Sequence, residues 1–185
     1  MSPRASAPLA LEYVLLGLLA ERPMHGYDLF QQLASARGIA LVWKIKQSLL
    51  YAMLEKLEEK GLLESKTVTA ESYPPRKVFH LTGEGQAAFQ NWTAAPVTHA
   101  REMRQEFLAK LVFARRASPL SALCLVQAQR KICQGWLEKQ RSAFQALKDS
   151  SEETLVLSYR INQLEAMLAW LETQEAELRL ETTVP

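Results

Sequence analysis

Apolar residues recur with helical spacing three times within the first sixty positions of the chain. In the first segment they stand at positions 11, 14, 15 and 18, which predicts a helix over about 9–20 that ends before Pro23. A second helix follows His25-Gly26 and stops near Gly38. The third has apolar positions 50, 53, 54 and 57 and runs from about 46 to 60, where Gly61 is a typical helix end.

The periodicity then changes from that of a helix to that of a strand. Residues 62–69 and 76–81 are rich in β-branched and apolar side chains, and a turn-rich break over 71–75 separates them. This pattern predicts a β-hairpin with a loose tip. Thr82 is suited to cap a fourth helix over about 83–92.

The remainder of the chain has a helical pattern. Positions 103, 107, 108, 111 and 112 form one apolar stripe, and Ser118-Pro119 is an N-cap followed by proline at the first helical position. The helix opened there is expected to reach about Leu147, and Ser150 with Glu153 forms a capping box before a last helix that ends near 178. The predicted organisation is a flexible arm over 1–8, a domain over 9–92, a linker over 93–98 and a helical domain over 99–180.

Three helices followed by a β-hairpin is the order of a winged helix-turn-helix. The predicted fold class is therefore mainly α, with this domain first and an all-helical domain after it. In a winged helix the third helix enters the major groove of DNA with its N-terminal end toward the bases. Here that end is basic and polar, whereas the second half is acidic. The residues of this region predicted to contact DNA are Lys44, Lys46, Gln47, Ser48 and Tyr51.

Two alternatives stay open for this helix. An ordinary amphipathic helix with a solvated outer face has the same pattern, although the hairpin directly after it favours DNA binding. Tyr51 is equally suited to contact a phosphate or base edge and to pack on the wing.

The hairpin carries Lys66 on one strand and Arg76-Lys77 at the start of the other. Cations on a wing bind phosphates or the narrow minor groove, and all three are predicted DNA contacts. The alternative explanation is that lysine on an exposed strand discourages edge-to-edge aggregation.

Composition limits the classes of protein without selecting one. The chain has 48% hydrophobic and 23% charged residues, as soluble globular proteins do, and its net charge of +2 does not by itself indicate nucleic acid. The apolar run 13–20 is too short to span a bilayer, so a cytoplasmic protein with no membrane partner is expected. Cys124 and Cys133 lie too far apart on one predicted helix for a disulfide and are expected to be reduced core residues.

Three stretches of the first domain resemble the PadR family of transcriptional regulators. Residues 11–29 match its pattern of paired leucines followed by Pro-x-His-Gly-Tyr-x-Leu, residues 50–62 match the third helix, and residues 76–85 match the returning strand, with Trp92 closing the next helix. Phe79 and Leu50 replace a usual tyrosine and β-branched residue, which preserves packing. In this comparison His25-Gly26-Tyr27 is interpreted as structural.

The second half resembles the longer PadR subgroup, whose helical C-terminal domain serves dimerisation. The resemblance implies a repressor that binds a roughly palindromic operator in double-stranded DNA as a homodimer. Two means of release from DNA stay open, a small aromatic or hydrophobic effector, as for some members of the family, and a partner-induced change in the spacing of the two winged helices. Packing in the core or at a dimer interface is the alternative for each aromatic residue considered for an effector pocket. Those residues are Trp92, Phe107, Trp136, Tyr159 and Trp170.

No pattern in the sequence predicts catalysis, a cofactor or a metal site. His25 stands alone, and Gly83-Glu84-Gly85 lacks the second parallel strand that a dinucleotide-binding fingerprint requires. The chain is therefore not expected to be an enzyme. Because the net charge is close to zero, the alternative function is a winged helix that contacts protein instead of DNA, with the long helices as a scaffold.

Overall fold

A computed structural model describes residues 10–35, 39–43, 45–70, 73–147 and 151–183. The chain divides into two compact units, of which the first holds 1–93 with 104–112 and the second holds 94–103 with 113–185. No helix in the described ranges is long and apolar enough to cross a membrane. The predicted arm lies outside the described residues, and the predicted domain boundaries stay a prediction.

The first unit is a winged helix-turn-helix, as predicted. Its elements are α1 (Ala10–Glu21), β1 (Met24–His25), α2 (Gly26–Ser35), α3 (Ile39–Val42), α4 (Gln47–Glu59), β2 (Leu63–Ala70), β3 (Tyr73–Leu81) and α5 (Gly83–Ala94). The sheet is antiparallel with the strand order β1-β3-β2. The short elements α3 and β1 were not predicted, because segments of two to four residues carry no periodicity.

A buried ion pair network fixes α4 on α1. Glu12 is only 1% exposed, and its carboxylate lies 2.7 Å from the ammonium of Lys56 and 3.4 Å from that of Lys60. An unpaired buried carboxylate is strongly destabilising, so α4 must present these two lysines to α1. The predicted apolar face of α4 is then buried as well, at Leu50, Met53, Leu54 and Leu57.

The hairpin of β2 and β3 forms the predicted wing, but its tip is shorter than predicted. Ala70 pairs with Tyr73, and β3 runs through Pro74 and Pro75, which the sequence placed in a turn. The prolines are compatible with β3 because β1 pairs only with Val78 and Phe79. At the prolines, therefore, no strand among the described residues pairs with β3 on the side of β1, and proline is tolerated at such edges.

Thr82 joins the end of α4 to the start of α5. Its hydroxyl accepts from the Gly85 amide at 3.0 Å, as predicted for the cap, and donates to the Gly61 carbonyl at 2.7 Å. Gly61 ends α4 in the left-handed region with φ 71°. Gly85 lies against Leu62, because a Cβ atom at position 85 would be 2.1 Å from the Leu62 carbonyl oxygen.

The start of α6 (Glu106–Ala117) belongs to the first unit and is held there by Trp92. The indole N–H donates to Glu106 at 2.9 Å, and the ring stacks on Tyr13 with centroids 5.1 Å apart. The ammonium of Lys110 lies 3.1 Å from Glu106 and 5.2 Å from the centroid of the indole. Burial, and then the carboxylates of Glu12 and Glu106, raise the pKa of Tyr13.

Two long helices make up most of the second unit. These are α7 (Pro119–Gln145) and α8 (Ser151–Thr183), preceded by a 3₁₀ turn over Ala100–Arg104. Ser118 caps α7 as predicted, since it accepts from the Ser121 amide at 3.0 Å. The predicted cap residue Ser150 lies outside the described residues. Ion pairs that cross from one helix to the other show that they run antiparallel: Arg141–Glu165 and Arg130–Glu172.

Gln129 anchors the entry segment of the second unit on α7. Its side-chain amide accepts from the Val97 amide at 2.7 Å and donates to the Val97 carbonyl at 3.2 Å. Both cysteines are free thiols, and burial raises the pKa of Cys133. Cys124 is exposed, so the predicted core location is right for Cys133 and wrong for Cys124.

Glu175 on α8 gives the second unit a pH-dependent contribution to stability. A hydrogen bond from Arg179, followed by those from Gln127 and Arg130, holds the pKa of this carboxyl below its usual 4.5. A lowered pKa stabilises the fold above the pKa of the unfolded chain, and the contribution is lost as pH falls through the folded pKa.

We expect Glu175→Gln to lower the free energy of unfolding by about 1–2 kcal/mol at pH 7, because its charged partners keep only weaker hydrogen bonds. The difference from the unchanged chain should shrink as pH falls below about 4. Urea unfolding at pH 7 and pH 3 measures both quantities, and Glu177→Gln, on the exposed side of α8, is the control. A full effect that persists at pH 3 would contradict the assignment.

Candidate nucleic-acid interface

The N-terminal half of α4 is exposed and polar. Lys46 is the N-cap residue with an extended backbone, and its side chain makes no capping hydrogen bond. Gln47 and Ser48 follow it and are exposed. The first-turn amides and the dipole of a helix attract anions, so these three predicted residues stand together where a phosphate would be favoured. Lys44 lies outside the described residues.

The ring of Tyr51 rests on the backbone of Gly26 at the start of α2. A Cβ atom at position 26 would lie 2.6 Å from Tyr51 Cε1 and 3.0 Å from its hydroxyl oxygen, so only glycine leaves room for the ring. The packing of Tyr51 therefore involves α2. Since the side chain is still 37% exposed, its contact with DNA stays a prediction.

Gly26→Ala is expected to displace the Tyr51 ring and to lower the free energy of unfolding by about 1 kcal/mol, because the ring edge can move. In a chain that already carries Tyr51→Ala, the same substitution should be neutral or stabilising, since alanine favours helix over glycine. Urea unfolding of the four chains measures the coupling between the two positions. An equal cost of Gly26→Ala in both backgrounds would argue against this contact.

The wing cations divide between the two faces of the hairpin. Val68 pairs with Arg76 and Lys66 pairs with Val78, so Arg76 and Lys66 share one face. Lys77 lies on the other face with the buried Phe79. The predicted cations of the wing are therefore exposed on two sides, and a single phosphate would not contact both Arg76 and Lys77.

Carboxylates of the same unit already contact the two lysines of the wing. Lys66 lies 3.1 Å from Glu64, and Lys77 lies 3.8 Å from Glu58. Glu58 also accepts from the amide of Ser65 at 3.0 Å and from its hydroxyl, which holds the wing on the second half of α4. Exposed ion pairs of this kind are weak, so phosphates can compete for the lysines.

A groove of about 650 Å³ runs between α4, the start of α2 and the wing. Arg76 and Lys77 border it on the wing side, and Tyr51 borders it on α4. Asp28, Glu55 and Glu58 lie in it as well, so the groove itself does not favour an anion. The surfaces that attract anions are the N-terminal end of α4 and the face of the wing that carries Lys66 and Arg76.

The sequence indicated a structural role for His25 without naming its partner, and it assigned no role to Leu49. His25 extends the sheet through β1, and its Nδ1 lies 3.1 Å from the carbonyl oxygen of Lys77. This contact supports the structural interpretation of His25-Gly26-Tyr27. Leu49 is 46% exposed on the N-terminal half of α4. Its one signal in the sequence is that it lies outside the apolar series 50, 53, 54 and 57.

The five aromatic residues considered for an effector pocket are divided between the units. Trp92 and Phe107 are buried in the first unit. In the second unit Trp136 lines a groove with α8 residues, and Tyr159 is exposed. Trp170 is half-buried on α8. Whether these residues bind an effector stays a prediction. Within the described ranges, no cluster of histidine, cysteine and carboxylate side chains could hold a metal ion.

Two family models match the chain. The model described as the transcriptional regulator PadR-like family matches residues 15–91, and the model described as virulence activator alpha C-term matches residues 103–179. The chain is 27% identical over 173 residues to the negative transcriptional regulator PadR of Bacillus subtilis strain 168, which covers 88% of this chain and 94% of the relative.

Solved structures show the same similarity. A PadR-like transcription factor from Bacteroides fragilis is 32% identical, with 44% of this chain and 74% of that chain covered and a TM-score of 0.39. Bacillus subtilis PadR in complex with operator DNA is 24% identical, with 92% of this chain and 99% of that chain covered and a TM-score of 0.46.

Proposed function

Because the chain belongs to the PadR-like family of transcriptional regulators, we propose that it represses transcription by binding operator DNA as a homodimer. As a regulator of this family it is not an enzyme. The observation that carries DNA binding is the exposed basic and polar end of α4 beside a cationic wing. The negative regulator from Bacillus subtilis supports repression. A repressor acts where the chromosome lies, which places the protein in the cytoplasm.

In this proposal α4 enters the major groove with its N-terminal end toward the bases. Gln47 and Ser48 contact base edges, and the exposed Leu49 is placed to contact a thymine methyl group. Lys46 binds a phosphate beside them. The wing cations Lys66, Arg76 and Lys77 contact the backbone or the adjacent minor groove.

An exposed apolar face on the first part of α8 supports the homodimer. Leu155 is 71% exposed, Val156 49% and Tyr159 63%. Positions i, i+1 and i+4 lie on one side of a helix, so the three side chains form one surface that water does not favour. A two-fold dimer presents two copies of α4, which suits a roughly palindromic operator.

We expect Leu155→Glu to raise the dissociation constant of the dimer at least about tenfold, because it places a charge at the centre of an apolar contact. Leu180→Glu is the matched control, since Leu180 is equally exposed on the same helix but lies at its other end. Sedimentation equilibrium measures both. Dissociation by Leu180→Glu alone would place the dimer contact elsewhere on α8.

The proposal includes release from DNA by a small aromatic or hydrophobic effector bound to the second unit. Such a ligand acts by binding better to the conformation that does not fit the operator. Trp136, one of the five aromatic residues, lines a groove of this unit.

A mobility-shift assay with the DNA upstream of the protein's own gene tests the proposed function. Binding should be selective over a shuffled duplex of equal length and should weaken steeply as salt increases. If the chain binds neither this DNA nor any genomic site selectively, the proposal is wrong.

A further inference from the structure

A second groove, of about 480 Å³, opens in the second unit between residues 98–101, the end of α7 and the start of α8. Three cationic side chains line it, namely Arg101, Lys139 and Arg160. Among the described residues, none of the three pairs with a carboxylate, and the groove has no carboxylate in its lining. Other arginines on α7 do have such partners, as in the Arg141–Glu165 pair. Three unneutralised cations around one groove favour an anionic ligand.

Two further side chains indicate the rest of the ligand. Trp136 lines the same groove and is half-buried, so part of its ring is available for stacking. The side-chain oxygen of Gln140 is buried and has no hydrogen-bond partner within the described structure. A buried acceptor without a donor is unfavourable, and a ligand N–H group would satisfy it. His99 also borders the groove, but its imidazole is engaged by Glu102 at 3.0 Å.

We propose that this groove binds a phosphate monoester that carries a planar heterocycle with an N–H donor, as a nucleoside 5′-monophosphate does. The dianionic phosphate matches three cations better than a single carboxylate would, and the guanidinium groups of Arg101 and Arg160 can bind it in bidentate fashion. The heterocycle stacks on Trp136 and donates to Gln140. The volume falls within the range of small-molecule sites, roughly 300–1,000 Å³.

Binding of the ligand to this groove does not depend on DNA binding, whereas any effect of the ligand on repression rests on the proposed function. The effector of the proposed repressor is then an anion with an aromatic ring. The groups that bind its charge belong to Arg101, Lys139 and Arg160, which the sequence did not single out.

Isothermal titration of the full chain with AMP, GMP, CMP and UMP tests the inference. At least one nucleotide should bind saturably with one site per chain, and inorganic phosphate and the matching nucleoside should each bind at least about tenfold more weakly. Arg101→Gln and Arg160→Gln should each weaken nucleotide binding about tenfold. Lys131→Gln should leave it unchanged, because Lys131 is exposed on α7 outside the groove.

Gln140→Met separates the two parts of the site. It should weaken binding of the nucleotide and leave binding of inorganic phosphate unchanged, because only the heterocycle donates to Gln140. A melting curve for each variant should show the same unfolding transition as the unchanged chain, which demonstrates that the fold is retained.

Three results would overturn the inference. One is the absence of saturable binding for all four nucleotides, and another is an equal loss in Lys131→Gln and Arg160→Gln, which would indicate diffuse attraction. The third is a loss of operator affinity in Arg101→Gln/Arg160→Gln without nucleotide, which would assign the groove to DNA. If the unchanged chain binds nucleotide but no operator, the inference holds and the proposed function fails.

Discussion

Replacing Arg76 and Lys77 with alanine is expected to lower the affinity for operator DNA about 10- to 100-fold, by removing two phosphate contacts from each protomer of the dimer. The slope of log K against log salt should become shallower by about 3.6 for the dimer, since each neutralised phosphate contributes about 0.9. The two side chains lie on opposite faces of the hairpin and therefore act at separate phosphates. The pair of Lys77 with Glu58 contributes little to folding, because it is long, at 3.8 Å, and exposed, and a melting curve of the double variant checks that the fold is retained.

The matched control removes the same charge elsewhere. Arg104→Ala/Lys131→Ala changes two exposed cations outside the wing and α4 and should leave both affinity and slope nearly unchanged. Fluorescence anisotropy with a labelled operator over about 50–200 mM salt measures both quantities. Equal losses in the two double variants would indicate attraction by net charge alone. No loss in Arg76→Ala/Lys77→Ala would favour the alternative of a winged helix that contacts protein.

The helices and the wing could be predicted because their signals are local. The buried face of α4 follows from its apolar spacing, and both cap residues, Thr82 and Ser118, act as predicted. The tip of the wing was predicted less well. Pro74 and Pro75 are typical of turns, but β3 accommodates them because the neighbouring strand ends before them. This explanation depends on where β1 ends, and a strand of only two residues has no sequence pattern that predicts its end.

Contacts between distant positions account for what the sequence did not reveal about the interface. Gly26 is required by the Tyr51 ring, and neither residue alone indicates the other. Glu12 stands in an apolar helix, and only the fold shows that Lys56 and Lys60 lie beside its carboxylate. Charged residues of both signs on a surface can form pairs in many ways, so the contact of Lys77 with Glu58 also required coordinates.

The aromatic residues of the sequence did not indicate which of them pack in the core and which line a groove. Trp92 was considered for a pocket, yet it is buried between Tyr13 and Lys110 and holds the start of α6. Helical spacing indicates which side of a helix is apolar, but it does not distinguish a residue that packs from one that lines a groove. Cations left without a carboxylate are a clearer mark of a ligand site, and only the fold shows which ones these are.

Gly85→Ala is expected to destabilise the first unit strongly, lowering the free energy of unfolding by about 3 kcal/mol. The added Cβ would lie 2.1 Å from the Leu62 carbonyl oxygen and 2.7 Å from Leu81 Cδ1, well inside van der Waals contact. The Leu62 carbonyl cannot retreat freely, because it accepts from the Thr82 amide at 3.2 Å. Relief of the clash would therefore separate α5 from the end of α4 and the wing.

Gly83→Ala is the control that isolates this close approach from a general need for glycine. A Cβ atom at position 83 would meet nothing within 4 Å, so the substitution should change stability by no more than about 0.5 kcal/mol. Thermal unfolding followed by circular dichroism should show a fall in Tm of about 6–12 °C for Gly85→Ala and nearly none for Gly83→Ala. Equal shifts would mean that both glycines serve the turn conformation. The close approach of Gly85 to the Leu62 carbonyl would then not be what holds α5 against the end of α4 and the wing.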